Sequence, residues 1–311
     1  MRKISEVSII GMGSLGILFG NFFINKMGRE AVTYIANKER IKKYKENGIY
    51  CNGSKCDFKF KDVNSQTKPA ELLIFAVKAT ALNKAIRDSK KLVGANTIII
   101  SLLNGITSER IIGNAFGNDH VLHCVAQGMD AVKIENKFTY SNMGELCIGI
   151  LGNETKQLPK LQKVINLFDE IELPYTLEED INHRLWSKWM LNVGVNQVVM
   201  INKGTYKTVQ EDGEAKETMK AAMREVIKLA ECEKINLTEE DLNGYVELVD
   251  SLNPEGMPSM RQDGIAKRYS EVEYFSGAVI KEAEKYGIDV PVNRMLYNEI
   301  KKLEEKYEPL L

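Results

Sequence analysis

Lys188, Asn192 and Asn196 stand four residues apart inside the otherwise apolar run Leu185-Trp-Ser-Lys-Trp-Met-Leu-Asn-Val-Gly-Val-Asn-Gln-Val-Val199. On an α-helix that spacing sets them in one narrow line. Trp186, Trp189, Met190, Leu191, Val193, Val195, Val198 and Val199 surround the line, so the helix is expected to be buried on most sides. Its polar line must then meet partners or a wet cleft, because buried unsatisfied amides and an unpaired ammonium are costly. The competing reading is a solvent-facing stripe, but such stripes are usually built from several charges, and this one has a single lysine and two neutral amides. A partly desolvated ammonium is a better proton donor. As hydride reaches the carbonyl carbon of a 2-oxo acid, charge grows on oxygen, and Lys188 can supply a proton or a strong hydrogen bond there. Asn192 and Asn196 can hold carboxylate or hydroxyl oxygens without adding charge.

Such a reduction needs a hydride donor, and Gly11-Met12-Gly13-Ser14-Leu15-Gly16 offers a place for one. The motif follows an apolar run and opens a helical pattern, the context that a dinucleotide-binding GxGxxG requires. Gly11 permits the tight turn, Gly13 lets the backbone approach a pyrophosphate, and Gly16 lets the helix pack close to the sheet. Uncapped N–H groups at the helix start then meet the phosphates. About 20 residues further on, NAD-binding domains carry an acid for the ribose hydroxyls. Here the sequence reads Ile35-Ala36-Asn37-Lys38, with Arg40 nearby. Without a carboxylate a 2′-phosphate meets no repulsion, so NADP (NADPH) is expected over NAD, with Asn37 and Lys38 as candidate cofactor contacts. Lys78 and Asn104-Gly105 each end an apolar run, at the carboxyl edge where ligands bind in parallel sheets. Either one alone reads as an ordinary turn residue; two equivalent strand ends point to a site.

These residues need a scaffold, and the first half supplies the pattern of one. Short apolar runs alternate with helical patterns, the signature of βαβ units around a doubly wound parallel sheet. Strands are expected at Val7–Ile10, Ala31–Ala36, Glu71–Val77 and Thr97–Leu103, with later pieces near Val121–Val125 and Leu146–Ile150; helices are expected at Ser14–Met27 and about Lys156–Glu170. The pattern changes near 172–180, after which nearly everything reads as helix: Asn182–Met200, Ala215–Cys232, Glu239–Leu252, Tyr269–Tyr286 and Val292–Tyr307. The stretch Asn253–Met260 is too rich in Pro and Gly to be helical. The fold expected is α/β, a Rossmann-type dinucleotide-binding domain over residues 1–175, followed by an all-α substrate and dimerisation domain over 176–311, with one cleft to hold the chemistry.

The 311 residues suit two domains at about 100 to 200 residues each. Hydrophobic residues at 44% and charged residues at 27% describe an ordinary globular chain. Lys and Arg total 42 against 43 for Asp and Glu, a balance that gives no reason to expect nucleic acid as a partner. The start Met1-Arg2-Lys3 has too short an apolar sequel for an export signal, and no run approaches the roughly 18 apolar residues of a membrane span, so a cytoplasmic protein is expected. The five cysteines are scattered without a CxxC pair, and the three histidines lack the spacing of a helical zinc pair, so no metal is expected.

Taken in order, these residues resemble the ketopantoate reductase family, which reduces 2-dehydropantoate to (R)-pantoate with NADPH on the route to pantothenate and coenzyme A. The resemblance is carried by the glycine loop, Ala76-Val-Lys78-Ala, Leu103-Asn104-Gly105, Trp186-x-Lys188-x3-Asn192-x3-Asn196, Pro258-Ser259-Met260-x-Gln262-Asp263 and Ser270-Glu271-Val-Glu-Tyr-x-x-Gly277. It implies Lys188 as general acid and Glu271 as the acid that hydrogen-bonds substrate and reaches the cofactor side. It further implies Asn192, Asn196 and Ser259 as substrate-binding residues, and Lys78 and Asn104 at the cofactor cleft, Asn104 on the nicotinamide side. A C-terminal domain like that of 6-phosphogluconate dehydrogenase and a homodimer follow from the same resemblance. Read from the residues alone, Glu271 would be an ordinary first-turn acid of a helix and Ser259 a turn or cap residue. Asn37 stands where relatives commonly have Arg, and Ser276 where they have Asn. Two alternatives stand beside this reading: a D-2-hydroxy acid dehydrogenase of the same family acting on another 2-oxo acid, and a non-catalytic NADP-binding sensor.

Overall fold

The computed structural model describes residues 3–65, 68–152 and 156–307; Met1 and Arg2 of the charged start lie outside them. The chain forms two compact units, Met1–Ile181 and Asn182–Leu311. The first unit contains, in order, β1 (Val7–Ile10), α1 (Ser14–Met27), β2 (Val32–Ala36), α2 (Lys38–Asn47), β3 (Tyr50–Cys51), β4 (Ser54–Lys55) and β5 (Lys59–Asp62). Then follow β6 (Leu72–Phe75), α3 (Leu82–Ser89), β7 (Ile98–Ser101), α4 (Ser108–Phe116) and β8 (Val121–Gln127). The unit ends with β9 (Val132–Ile134), β10 (Lys137–Thr139), β11 (Glu145–Gly149), α5 (Leu158–Glu170) and β12 (Tyr175–Leu177).

Eight strands make one sheet in the order β12-β11-β8-β7-β6-β1-β2-β5. From β5 to β8 every neighbour is parallel, while β11 runs antiparallel to β8 and β12 lies parallel to β11. Chain order runs outward from β1 in one direction through β2 and β5, and in the other from β6 through β7 to β8. The gap between β1 and β6 is therefore the switch point, where α/β sheets bind ligands. β6 and β7 are buried at every position, as expected of strands covered by helices on both faces. The expected strands at 121–125 and 146–150 both join this sheet.

A second sheet, β4-β3-β10-β9, was not expected from sequence. Its strands are two or three residues long and mix polar with apolar residues, too short to show a period of two.

The second unit is helical: α6 (Ile181–Ile201, starting at the boundary), α7 (Lys207–Gln210), α8 (Glu214–Cys232), α9 (Glu239–Asp250), α10 (Ser259–Ile265), α11 (Ser276–Tyr286) and α12 (Pro291–Glu304). Gly194 in mid-α6 allows a close approach of α8, since a Cβ there would sit 2.7 Å from Met223. Two expectations need correction. The helix expected at Tyr269–Tyr286 begins only at Ser276, because Phe275 leaves helical geometry and the Trp189 indole donates to the Tyr274 carbonyl at 2.9 Å. The loop expected through Met260 ends sooner: Pro258, in extended geometry, caps α10, so Ser259 and Met260 are helical. No helix among the described residues is long and apolar enough to cross a membrane.

Candidate cofactor loop and catalytic helix

Strand register brings the first set of candidates to one edge. Ile35, Ile10, Phe75 and Ser101 are paired across β2, β1, β6 and β7. Lys38, Gly13, Lys78 and Asn104 each lie three residues beyond that row, all past the carboxyl ends of their strands. Residues 25 to 91 positions away from Gly13 in sequence thus collapse onto a single rim of the sheet, on both sides of the switch point.

The glycines divide the work as their spacing suggested. Gly11 has φ +110, and a Cβ there would lie 2.3 Å from the Ala76 carbonyl oxygen, so only glycine fits the turn. A Cβ on Gly16 would lie 2.2 Å from the Gly11 carbonyl, which shows how tightly α1 folds back on its own loop. Gly13 is different. Its φ of −75 suits any residue, and a Cβ would meet only the Ala76 carbonyl at an ordinary 3.6 Å. The fold does not require glycine there, and the space is left open on an exposed residue beside Ser14 and Leu15, the first turn of α1, which has no side-chain cap. Asn37, by contrast, accepts a hydrogen bond from the Arg40 N–H at 2.9 Å and caps α2, while Lys38 is exposed.

One residue of this loop's surroundings went unnoticed in the sequence. Lys133, on β9 of the second sheet, donates from its ammonium to the backbone carbonyl of Met12. No spacing marked it; it arrives from 121 residues away through the pairing of β9 with β10 and β10 with β3. Among the described residues, no group of three or more His, Cys, Asp or Glu is placed to hold a metal ion.

In the second unit, α6 carries Lys188, Asn192 and Asn196 as one line. Asn192 and Asn196 are 6% and 5% exposed, so the line is not a solvent-facing stripe, and Lys188 is half-buried. The two amides are unequal. Asn196 is committed: its Nδ2 donates to Asn192 Oδ1 at 3.1 Å, and its Oδ1 accepts from Ser259 Oγ and the Met260 N–H, both at 3.2 Å. Asn192 has its oxygen engaged, but its buried Nδ2 has no partner among the described residues. A buried amide donor left open costs roughly 1 to 3 kcal/mol, which marks it as a position for an acceptor oxygen.

Glu271 is not the first-turn acid that the residues alone suggest. It precedes the 3-10 turn Val272–Tyr274, in a segment fixed on both sides. Buried Glu304 of α12 accepts from the Ser270 N–H (2.7 Å) and Ser270 Oγ (2.5 Å). Two further residues of α6 hold the other end: the Trp189 indole donates to the Tyr274 carbonyl, and Gln197 Oε1 accepts from the Ser276 N–H at 3.2 Å. Ser276 Oγ in turn donates to Asn293 Oδ1 at 2.8 Å. α6 therefore carries the lysine and amides and, through Trp189 and Gln197, also anchors the segment that follows Glu271. Ser259 is exposed at the start of α10, tied to the line through Asn196.

A glycine loop at the switch point of a parallel sheet, followed by a helical unit in which a half-buried lysine lies in line with two buried amides, defines a dinucleotide-dependent oxidoreductase of two parts. The chain belongs to the ketopantoate reductase family: the family model Ketopantoate reductase PanE/ApbA matches residues 7–153, and that of its C-terminal part matches 180–304. The 2-dehydropantoate 2-reductase of Streptococcus pyogenes serotype M3 is 24% identical over 294 residues, 93% of this chain and 95% of its own length. That of Aquifex aeolicus is 24% identical over 298 residues, 94% of this chain and 95% of its own. Among solved structures, D-mandelate dehydrogenase with NADH and anilino(oxo)acetate shares 23% identity at a TM-score of 0.85, covering 97% of this chain and 99% of its own. The dimeric ketopantoate reductase of Staphylococcus aureus shares 20% at a TM-score of 0.80, covering 97% and 100%. At these identities the structural likeness speaks for the fold.

Proposed function

We propose that this protein reduces 2-dehydropantoate to (R)-pantoate with NADPH, as a cytoplasmic homodimer on the route to pantothenate and coenzyme A. The observation that carries the reading is the buried line on α6, with a lysine beside an amide whose Nδ2 has no partner among the described residues, in a chain of the ketopantoate reductase family. A bound reduced nicotinamide supplies the hydride. In this reading Lys188 donates the proton to the nascent alkoxide, and Asn192 Nδ2 holds a substrate oxygen, gaining the hydrogen bond it lacks. Asn196 acts through its contacts, orienting Asn192 and Ser259, and Glu271 accepts from a substrate hydroxyl. The first unit binds the cofactor: the pyrophosphate at Gly11–Gly16 with its backbone close against Gly13, Lys133 as a nearby cation, Lys38 toward the 2′-phosphate, Lys78 and Asn104 along the nicotinamide half.

The second reading keeps the chemistry and changes the acid and cofactor, giving a D-2-hydroxy acid dehydrogenase for another 2-oxo acid. It is favoured by Asn37, whose side chain is spent on capping α2 and adds no charge for a 2′-phosphate, and by the fold shared with D-mandelate dehydrogenase. Purified protein is tested for oxidation of NADPH and of NADH with 2-dehydropantoate and a panel of aliphatic and aromatic 2-oxo acids. The highest kcat/KM on 2-dehydropantoate with NADPH is expected. A higher value on another acid selects the second reading, and no turnover on any of them sinks both.

A further inference from the structure

Glu109, in the first turn of α4, is 4% exposed and makes no ion pair among the described residues. Its Oε2 accepts from Ser108 Oγ at 2.8 Å, and its Oε1 is buried without a partner there. Ser108 Oγ lies 2.8 Å from Ser101 Oγ, and the Leu103 N–H donates to Ser101 Oγ at 3.3 Å. Each hydroxyl has one proton, so the direction is fixed: Leu103 N–H to Ser101, Ser101 to Ser108, Ser108 to Glu109. Ser101 ends β7 and Ser108 begins α4, so their hydroxyl pair braces both ends of the turn 102–107. That turn carries Asn104, with Gly105 at φ +95 beside it. A carboxylate at the end of a one-way chain of donors polarises every link, and a protonated one polarises them less.

We propose that Glu109 is a positioning residue for Asn104: through Ser108 and Ser101 it fixes the turn 102–107, and holds it most firmly when ionised. The inference rests on the reading of Asn104 as a cofactor-side residue. Burial pushes the Glu109 carboxyl up to about 7, opposed by its hydrogen bonds from Ser108 and its own backbone. Across from it stands the Cys124 thiol of β8, itself held well above its ordinary value by burial, with Cys147 of β11 beyond. α4 also packs on α3 and on the turn Asn118–His120, and no charge from either shifts Glu109.

The test compares wild type with Glu109→Gln, which keeps an acceptor for Ser108 but does not titrate, and with Ser101→Ala, which cuts the chain and leaves the carboxyl in place. In wild type kcat is expected to rise with pH through about 7, where burial places the ionisation of Glu109. That limb is expected to vanish in Glu109→Gln, whose neutral amide leaves kcat flat with pH at the lower level that wild type reaches when the carboxyl is protonated. Amide exchange of the peptide containing Leu103, followed by mass spectrometry at fixed pH, is expected to be faster in Ser101→Ala. A limb that persists in Glu109→Gln, or Leu103 exchange unchanged in Ser101→Ala, overturns the inference. Should Glu109→Gln not fold, Ser101→Ala decides through exchange alone. If wild type reduces no 2-oxo acid, the proposed function falls, while Leu103 exchange still decides whether the brace exists.

Discussion

The glycine loop of the first unit and the polar line of the second solve opposite problems. The loop presents backbone, and its fitness lies in what is missing: no Cβ at Gly11 or Gly16 because the fold forbids one, none at Gly13 although the fold allows one. The line presents side chains, and its fitness lies in which hydrogen bonds remain open: Asn196 engages both its amide oxygen and its nitrogen, while the Asn192 Nδ2 has no partner among the described residues. In the first region the information is steric; in the second it is a matching of donors to acceptors. The two should therefore fail in different ways when changed.

The largest contrast is expected at Lys188. Lys188→Ala should lower kcat by about 10²- to 10⁴-fold, the usual contribution of a positioned proton donor, with NADPH affinity unchanged by fluorescence titration. A loss of cofactor affinity of the same size would break the division between the regions. Next come the two glycines. Gly11→Ala forces a Cβ into the Ala76 carbonyl at positive φ and should destabilise the fold by upwards of about 1 to 3 kcal/mol in thermal melts. Gly13→Ala should leave the melting temperature in place and weaken NADPH binding instead; equal destabilisation by the two would mean the open space at Gly13 has no ligand to receive. Lys133→Met should raise the Kd for NADPH roughly tenfold and flatten its salt dependence, as loss of one phosphate cation does, with kcat at saturation preserved.

The amides sharpen the second half. Asn196→Ala should cost about 1 to 3 kcal/mol of stability, because it strips partners from Asn192, Ser259 and the Met260 N–H. Asn192→Leu should cost less stability but raise KM for the 2-oxo acid. The smallest effect is a pair of opposite pH slopes in the first unit. Glu109, raised to about 7 in the folded state against an ordinary 4.5, favours the fold fully below 4.5 and loses that contribution as pH rises to about 7. His123, lowered by burial to about 4 from 6.5, favours the fold above 6.5 and loses that contribution as pH falls toward 4. Melting temperatures of Glu109→Gln, compared with wild type from pH 5.5 to 8, should gain most at the alkaline end.

β1 and α1 run from Val7 to Ile10 and from Ser14 to Met27, as their apolar period and the glycine motif indicate. The line on α6 was equally legible, since three polar residues four apart in an apolar helix share one face whatever that helix packs against. Lys133 and the second sheet were not, because two- and three-residue strands carry no period and their pairing depends on loops far apart in sequence. The residues alone would make Glu271 a first-turn acid, and only the resemblance lifts it to a site residue: the anchors that displace it from a helix, Glu304 and Trp189, sit 33 residues after and 82 before it, and local propensity is blind to them. Glu109 offered a weak signal that was available, an acid between the apolar end of β7 and Ile111-Ile112, but first-turn acids are too common for that to stand alone.

The second sheet also orders events in time. β3 pairs with β10 through Tyr50 and Lys137, a contact whose intervening chain includes β5, β6, β7 and β8. Closing so long a loop is entropically unfavourable until the main sheet has shortened it, so the lysine over the glycine loop is expected among the last parts to arrive as the chain folds. A ligand that binds the glycine loop before the second sheet closes would stabilise the very contacts that complete it.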